Sequence, residues 1–151
     1  MSTPAYHIRK AKQGDEGAIL ALIKMLAEFE NEPHQVINTA EQLAIDLFQD
    51  GICACFVAES EENIIGIALY YTSYSTWYGR SLYLEDIIID PAYRRLGIGK
   101  SLFSKLIEEA KNSGAKRMDW QVLEWNSSAI EFYKSVGAKL DSEWVNGRLY
   151  F

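Results

Sequence analysis

Apolar residues recur along this chain in two periods. Ile19, Leu22, Ile23, Leu26 and Phe29 fall three and four positions apart, the spacing of one helix face. They predict a helix that starts at Gly14 or Asp15 and ends before Pro33. Thr39, with Gln42 three residues on, reads as a capping box. It opens a second helix through Leu43, Leu47 and Phe48, which Gly51 stops. From Ile52 the pattern becomes that of strands, at residues 52–59, 64–75 and 81–89, the last closed by an Asp90-Pro91 turn. After Gly97-Ile98-Gly99 a helix runs to about Ser113, with Leu102, Phe103, Leu106 and Ile107 on its apolar face. Residues 115–123 read as a strand, and 127–136 as a helix ended by Gly137. Short strands at 6–11, 138–140 and 148–151 complete the order βααβββαβαββ. That order predicts an α/β (α+β) fold, a mixed sheet with helices on its faces.

Composition narrows the picture. A length of 151 residues predicts one domain, over 1–151. A chain of that size can bury its core without disulfides or a metal. The net charge of −6 argues against a nucleic-acid partner, which needs a basic face. The charge is uneven: residues 1–93 carry 5 Lys/Arg against 14 Asp/Glu, and residues 94–151 carry 10 against 7. No run reaches about 18 apolar residues, so no membrane span is expected. Met1 to Lys10 lacks the apolar run of a signal peptide, which points to the cytoplasm. Without a secretion signal, the sequon Asn126-Ser127-Ser128 carries no glycosylation argument. Cys53 and Cys55, with only His7 and His34 for company, do not make the usual zinc set and read as buried thiols.

Two features carry chemistry. The strand Leu82-Tyr83-Leu84-Glu85-Asp86-Ile87-Ile88-Ile89 has adjacent carboxylates in an apolar setting. Strand neighbours point to opposite faces, so at least one must face a core or a cleft. Either one pairs with an Arg while the other reaches solvent at a bulge, or a carboxylate sits in a cleft as a base. The strand is followed by Arg94-Arg95-Leu96-Gly97-Ile98-Gly99-Lys100-Ser101 and a helix, an arrangement whose backbone N–H groups suit phosphate. A Walker A loop would need Gly where Arg94 stands, and a Rossmann fingerprint would need Gly where Leu102 stands. The segment fits R-x-x-G-x-G, from Arg94 through Gly97 to Gly99.

With that motif between a strand and a helix, the chain resembles the GNAT family of N-acetyltransferases. Leu82 to Asp86, Tyr93-Arg94, Gly97-Ile98-Gly99, Glu124-Trp125-Asn126 and Phe132-Tyr133-Lys134 resemble its spermidine/spermine (diamine) acetyltransferase group. The resemblance implies a central, mostly antiparallel sheet of about seven strands with four helices. It implies acetyl-CoA as co-substrate, no metal, a small amine acceptor and a homodimer. It gives Glu85 the role of base and Tyr133 that of acid toward the leaving thiolate. The backbone of Ile87, Ile88 and Ile89 would pair with the pantetheine arm. Arg94, Arg95, Leu96, Gly97, Ile98, Gly99 and Lys100 would hold the pyrophosphate. Asn126, Ser127, Ser128, Ala129 and Tyr133 would lie along the cofactor. Phe29, Glu30, Trp77, Glu85, Asp86, Asp119, Trp120 and Gln121 would form the amine site.

Two positions depart from the polyamine enzymes, which carry an acidic residue near Val145 and an Asp where Ser75 stands. Tyr74-Ser75-Thr76-Trp77 with Gly79-Arg80 resembles instead the branch that acetylates thialysine and related amino acids. A protein acetyltransferase and a non-catalytic acyl-CoA sensor are the alternative readings.

Overall fold

A computed structural model describes residues 4–151; Met1, Ser2 and Thr3, the start of the segment read for a leader, lie outside the described residues. Five strands form one sheet in the order β1 (His7–Lys10), β2 (Ala54–Ser60), β3 (Asn63–Ser75), β4 (Gly79–Ile89) and β5 (Arg117–Trp120). β1 to β4 run antiparallel, and β5 joins β4 in parallel. Four helices accompany it: α1 (Glu16–Phe29), α2 (Ala40–Ala44), α3 (Ile98–Asn112) and α4 (Ser127–Ser135). The mixed, mostly antiparallel architecture is the one expected, with five strands in place of about seven.

α1 and α2 bury one face of the sheet. Ile19, Leu22 and Leu43 pack with Cys55, Val57, Ile67, Leu69 and Ile88. α3 packs on the sheet with Ile98, Leu102, Phe103 and Leu106 buried. Burial pushes the Cys55 thiol up to about 12, and it raises Cys53 as well, so both stay protonated and behave as apolar groups. Among the described residues no group of three or more His, Cys, Asp or Glu could hold a metal ion. Among the described residues no helix is long and apolar enough to cross a membrane.

Local signals explain the element ends. Thr39 Oγ1 accepts from the Gln42 N–H at 3.1 Å, while Gln42 turns its side chain to Asp46, so only half of the expected capping box forms. Asp15 stands at the start of α1, but its carboxylate takes the Lys12 N–H and the Arg9 guanidinium, both within 2.8 Å. Arg9 also reaches Glu59 at 2.7 Å and so ties β1 and β2 to the entry of α1.

Gly66 on β3 sets how closely α3 approaches. A Cβ there would lie 3.0 Å from Ile89 Cδ1, 3.2 Å from Ile98 Cγ2 and 3.4 Å from the Ile88 carbonyl oxygen. Ile89 Cδ1 is a chain end that can swing away; Ile98, at 1% exposure, has little room to move. Gly66→Ala is therefore expected to cost about 1–3 kcal/mol through overpacking. Gly17→Ala, with open space around it in α1, should be neutral or stabilise by up to about 1 kcal/mol. Thermal unfolding of the two variants side by side checks this, and equal shifts would refute the packing argument.

Residues 121–151 make a second compact unit. Asn126 caps α4 through its side-chain oxygen, which accepts from the Ala129 N–H at 3.3 Å. The helix ends as expected at Gly137, with φ +85°. There the Gly137 and Ala138 N–H groups donate to the Lys134 and Tyr133 carbonyls. The strands expected at 138–140 and 148–151 are not formed; residues 138–151 carry no ladder. Leu140, Trp144, Val145, Leu149 and Tyr150 are exposed. β-propensity expresses packing against a neighbouring strand, and these apolar residues have none here.

Candidate active site

The β3–β4 register breaks once on the way along the pair. Leu69 lies opposite Asp86 and Tyr70 opposite Leu84, so Glu85 is an extra residue in β4. The bulge leaves Glu85 exposed and Asp86 half-buried. Asp86 shares the face of Leu69 and Ile88, the face covered by α1. Burial, followed by the charges of Glu85 and Glu30, pushes the Asp86 carboxyl up to about 7. Glu30 closes the C-terminus of α1, and its own partial burial raises it. Among the described residues neither Glu85 nor Asp86 joins an ion pair.

The same face continues through Tyr71, Tyr83 and Asp119. The two tyrosine rings lie 5.2 Å apart, and Asp119 stands beside Tyr83 in the ladder. Both phenols are raised, first by burial and next by Glu85. Three carboxylates, Glu85, Asp86 and Asp119, thus gather around Tyr83, and Glu30 acts on Asp86, an arrangement suited to an ammonium ion.

Further along β4 the sheet opens. The β4–β5 ladder runs only from Ser81↔Arg117 to Leu84↔Trp120, while β4 stays paired with β3 as far as Ile89. Among the described residues, β4 from Glu85 to Ile89 therefore has no strand partner on its β5 side. It offers main-chain donors and acceptors to an extended ligand.

The glycine loop stands at the end of that open edge. Asp90 ties β4 off: its N–H donates to the Ile65 carbonyl and its carboxylate accepts from the Ala92 N–H. Arg95 has φ +65° and Gly97 φ +80°. A left-handed arginine is strained by about 1–2 kcal/mol, the kind of conformation found at ligand clamps. The first intrahelical bond of α3 is Ser101 N–H to the Gly97 carbonyl. The N–H groups of Ile98, Gly99 and Lys100 precede it and lie at the positive end of the helix dipole. Arg94, Arg95 and Lys100 are exposed around them. Ser101 does not act as in a Walker loop: its hydroxyl is hydrogen-bonded to Tyr6 at 2.9 Å.

In the second unit Tyr133 is buried, at 6% exposure, with Phe132 edge-on at 5.3 Å. Asn126, Ser127, Ser128 and Ala129 form the first turn of α4, where Ser128 also donates to Asn126 Oδ1. Gln121 donates to Asn146 at 2.7 Å.

The structure thus brings Glu30, Glu85, Asp86 and Asp119 to one face, and Ile87 to Lys100 along one edge and loop. Phe29 sits half-exposed beside Glu30. Trp120, expected in the amine site, is turned to the other face, where its ring meets Phe103 edge-on at 5.3 Å. Strand alternation dictates this once Asp119 faces the acid cluster. Trp77 is 89% exposed at the tip of the β3–β4 hairpin. Ser75 fixes that tip by accepting from the Trp77 and Tyr78 N–H groups. Tyr71, Tyr83 and Arg117 were not anticipated. The first two need the strand register, but Arg117-x-Asp119 on one strand face was readable from spacing alone.

The model of the Acetyltransferase (GNAT) family matches residues 19–138. The chain is 43% identical over 141 residues to the thialysine N-epsilon-acetyltransferase of Bos taurus, covering 87% of this chain and 83% of that protein. It is 36% identical over 145 residues to the human spermidine/spermine N(1)-acetyltransferase-like protein 1, covering 88% of this chain and 20% of that one. Among solved structures, AAC(6')-Iy in complex with the bisubstrate analog CoA-S-monomethyl-acetylneamine superposes with a TM-score of 0.81. That match is at 18% identity and covers 97% of this chain and 99% of that one, which establishes the shared fold. The chain belongs to the GNAT family of acetyltransferases.

Proposed function

We propose that residues 1–151 act as one acetyl-CoA-dependent N-acetyltransferase domain on the primary amine of a small molecule. A thialysine-like amino acid is the favoured acceptor, ahead of diamines and polyamines. The observation that carries this reading is the layout of β4. Its bulge gathers carboxylates for a cation, its open edge suits an extended ligand, and its end leads into a basic glycine loop for phosphates.

Acetyl-CoA, when bound, supplies an acetyl group already activated as a thioester. Arg94, Arg95, Lys100 and the first N–H groups of α3 hold its pyrophosphate. The main chain of Ile87 to Ile89 lines its pantetheine arm, and Asn126 with the first turn of α4 lies along it. The acid cluster attracts the acceptor as an ammonium. Glu85 takes a proton from that ammonium, directly or through water, because only the neutral amine is a nucleophile. The Ile87 N–H stabilises charge developing on the carbonyl oxygen. The amine nitrogen bonds to the acetyl carbon as the carbon–sulfur bond breaks. Tyr133 gives its proton to the departing sulfur, and the second nitrogen proton returns to the tyrosinate, directly or through water.

The reading is tested by thiol release from acetyl-CoA with thialysine, lysine, ornithine, putrescine, spermidine and an aminoglycoside. Turnover is expected to be highest with thialysine. CoA binding without turnover on any of the six would favour a sensor instead. Tyr133→Phe is expected to lower kcat by about 100-fold or more, far beyond its effect on CoA affinity. Normal turnover in that variant removes Tyr133 from the acid role.

A further inference from the structure

We infer that Arg117 and Asp119 form a clamp for the α-carboxylate and α-ammonium of an amino-acid acceptor, with the acceptor's side-chain amine at Glu85. The inference rests on the small-amine reading above and specifies the class of amine.

Positions 117 and 119 are two apart on β5 and so share a face. That face is the one of the acid cluster, because Asp119 lies beside Tyr83 and Tyr83 stands over Tyr71. Arg117 Nε donates to Asp119 Oδ2 at 2.9 Å. The bond occupies one edge of the guanidinium and leaves both Nη groups, a fork that matches a carboxylate. Asp119 keeps Oδ1 for an ammonium. The Arg117 guanidinium lies over the Tyr78 ring, 5.2 Å from its centre, which holds it at the rim. The two side chains are 44% and 35% exposed. An ion pair this open adds little to stability, yet it presents one charge of each sign side by side to solvent. That is the complement of a zwitterionic head group.

The spacing agrees with this assignment. Asp119 pairs with Tyr83, two residues before Glu85 on the neighbouring strand. Two residues span about 7 Å and one strand spacing about 4.8 Å, so the two positions lie roughly 8 Å apart. A lysine-length side chain carries its amine about 6 Å from Cα, and the Asp and Glu side chains cover the remainder. A plain diamine has no carboxylate for Arg117, and its second ammonium meets that residue's positive charge.

The test compares lysine and thialysine with their decarboxylated counterparts, pentane-1,5-diamine and 2-(2-aminoethylthio)ethanamine. The native protein is expected to favour the carboxylate-bearing acceptors about tenfold or more in kcat/KM. Arg117→Gln should raise KM for the amino acids by about tenfold and raise kcat/KM for the diamines, reversing the order. Arg117→Lys, which keeps the charge without the fork, should recover part of the preference. A purely structural role would weaken all four acceptors alike in Arg117→Gln, and that result overturns the clamp. So does a native protein that treats each pair equally while acetylating both, although the small-amine reading then stands. If the native protein acetylates none of the four but releases thiol with a protein acceptor, the small-amine reading and the clamp fall together.

Discussion

Glu85→Gln is expected to reduce kcat/KM for the amine by about 100-fold or more at pH 7, and by progressively less as the pH approaches 10. A lysine-like amine has a pKa of about 10.4, so roughly one molecule in 2,500 is neutral at pH 7. Reaching the neutral form costs about 4.6 kcal/mol at 1.36 kcal/mol per pH unit. An enzyme that binds the abundant cation and deprotonates it in place avoids waiting for the rare neutral form. Glu85 is placed to do so: the bulge frees it from the ladder, leaves it exposed, and sets it beside Asp86 and close enough to Tyr71 and Tyr83 for its charge to raise both phenols. Gln keeps the shape and removes the proton acceptor. The variant must then use amine that is already neutral, and its rate should climb about tenfold per pH unit below the amine pKa. The native rate should be nearly level over the same range. Parallel pH–rate profiles, measured with saturating acetyl-CoA, would reduce Glu85 to a residue that only attracts the substrate.

Much of this arrangement was legible in the sequence because it depends on local rules. The α1 stripe from Ile19 to Phe29, the Gly97 turn and the Gly137 helix end each follow from spacing and backbone freedom, and each stands where expected. The paired carboxylates could be flagged as costly inside an apolar strand, and a bulge was one of two ways out. Choosing between them required knowing that Leu69 faces Asp86 while Tyr70 faces Leu84, and register across a hairpin is a tertiary fact. The same limit hid Tyr71 and Tyr83, whose neighbours lie on other strands. It also left open which face Trp120 takes, since alternation gives two faces without saying which is the site. The two C-terminal strands failed for a related reason: apolar residues supply propensity, but pairing needs a partner. The uneven charge acquires a partial meaning. The acidic part holds Glu30, Glu85 and Asp86, the basic part holds the glycine loop, and the change of sign falls where β4 runs into that loop.

Asp86→Asn should stabilise the protein at pH 8 and leave it nearly unchanged at pH 4. The native carboxyl is pushed up to about 7 from the ordinary 3.8, first by burial and then by Glu85 and Glu30. An unfolded chain releases this proton near 3.8, whereas the folded chain holds it to about 7. Between those values the unfolded state binds fewer protons, so stability falls as pH rises. Below pH 4 both states are protonated and nothing is lost; above pH 7 the full cost is present. Three pH units at 1.36 kcal/mol each set that cost at up to about 4 kcal/mol. For a chain of this length that is on the order of 10 °C in Tm. Asn removes the charge and keeps the shape, so thermal unfolding of native and variant protein at pH 4 and pH 8 reads the difference directly. An equal shift at both pH values would mean that the effect comes from packing. The same cost explains why a folded protein keeps the group. A bound ammonium offsets the repulsion among Glu30, Glu85 and Asp86 and lowers the Asp86 pKa, so binding between pH 5 and 7 should release a proton. Asp86→Asn should therefore gain stability and lose both amine affinity and that proton release, the exchange expected where a site holds like charges together to meet a cation.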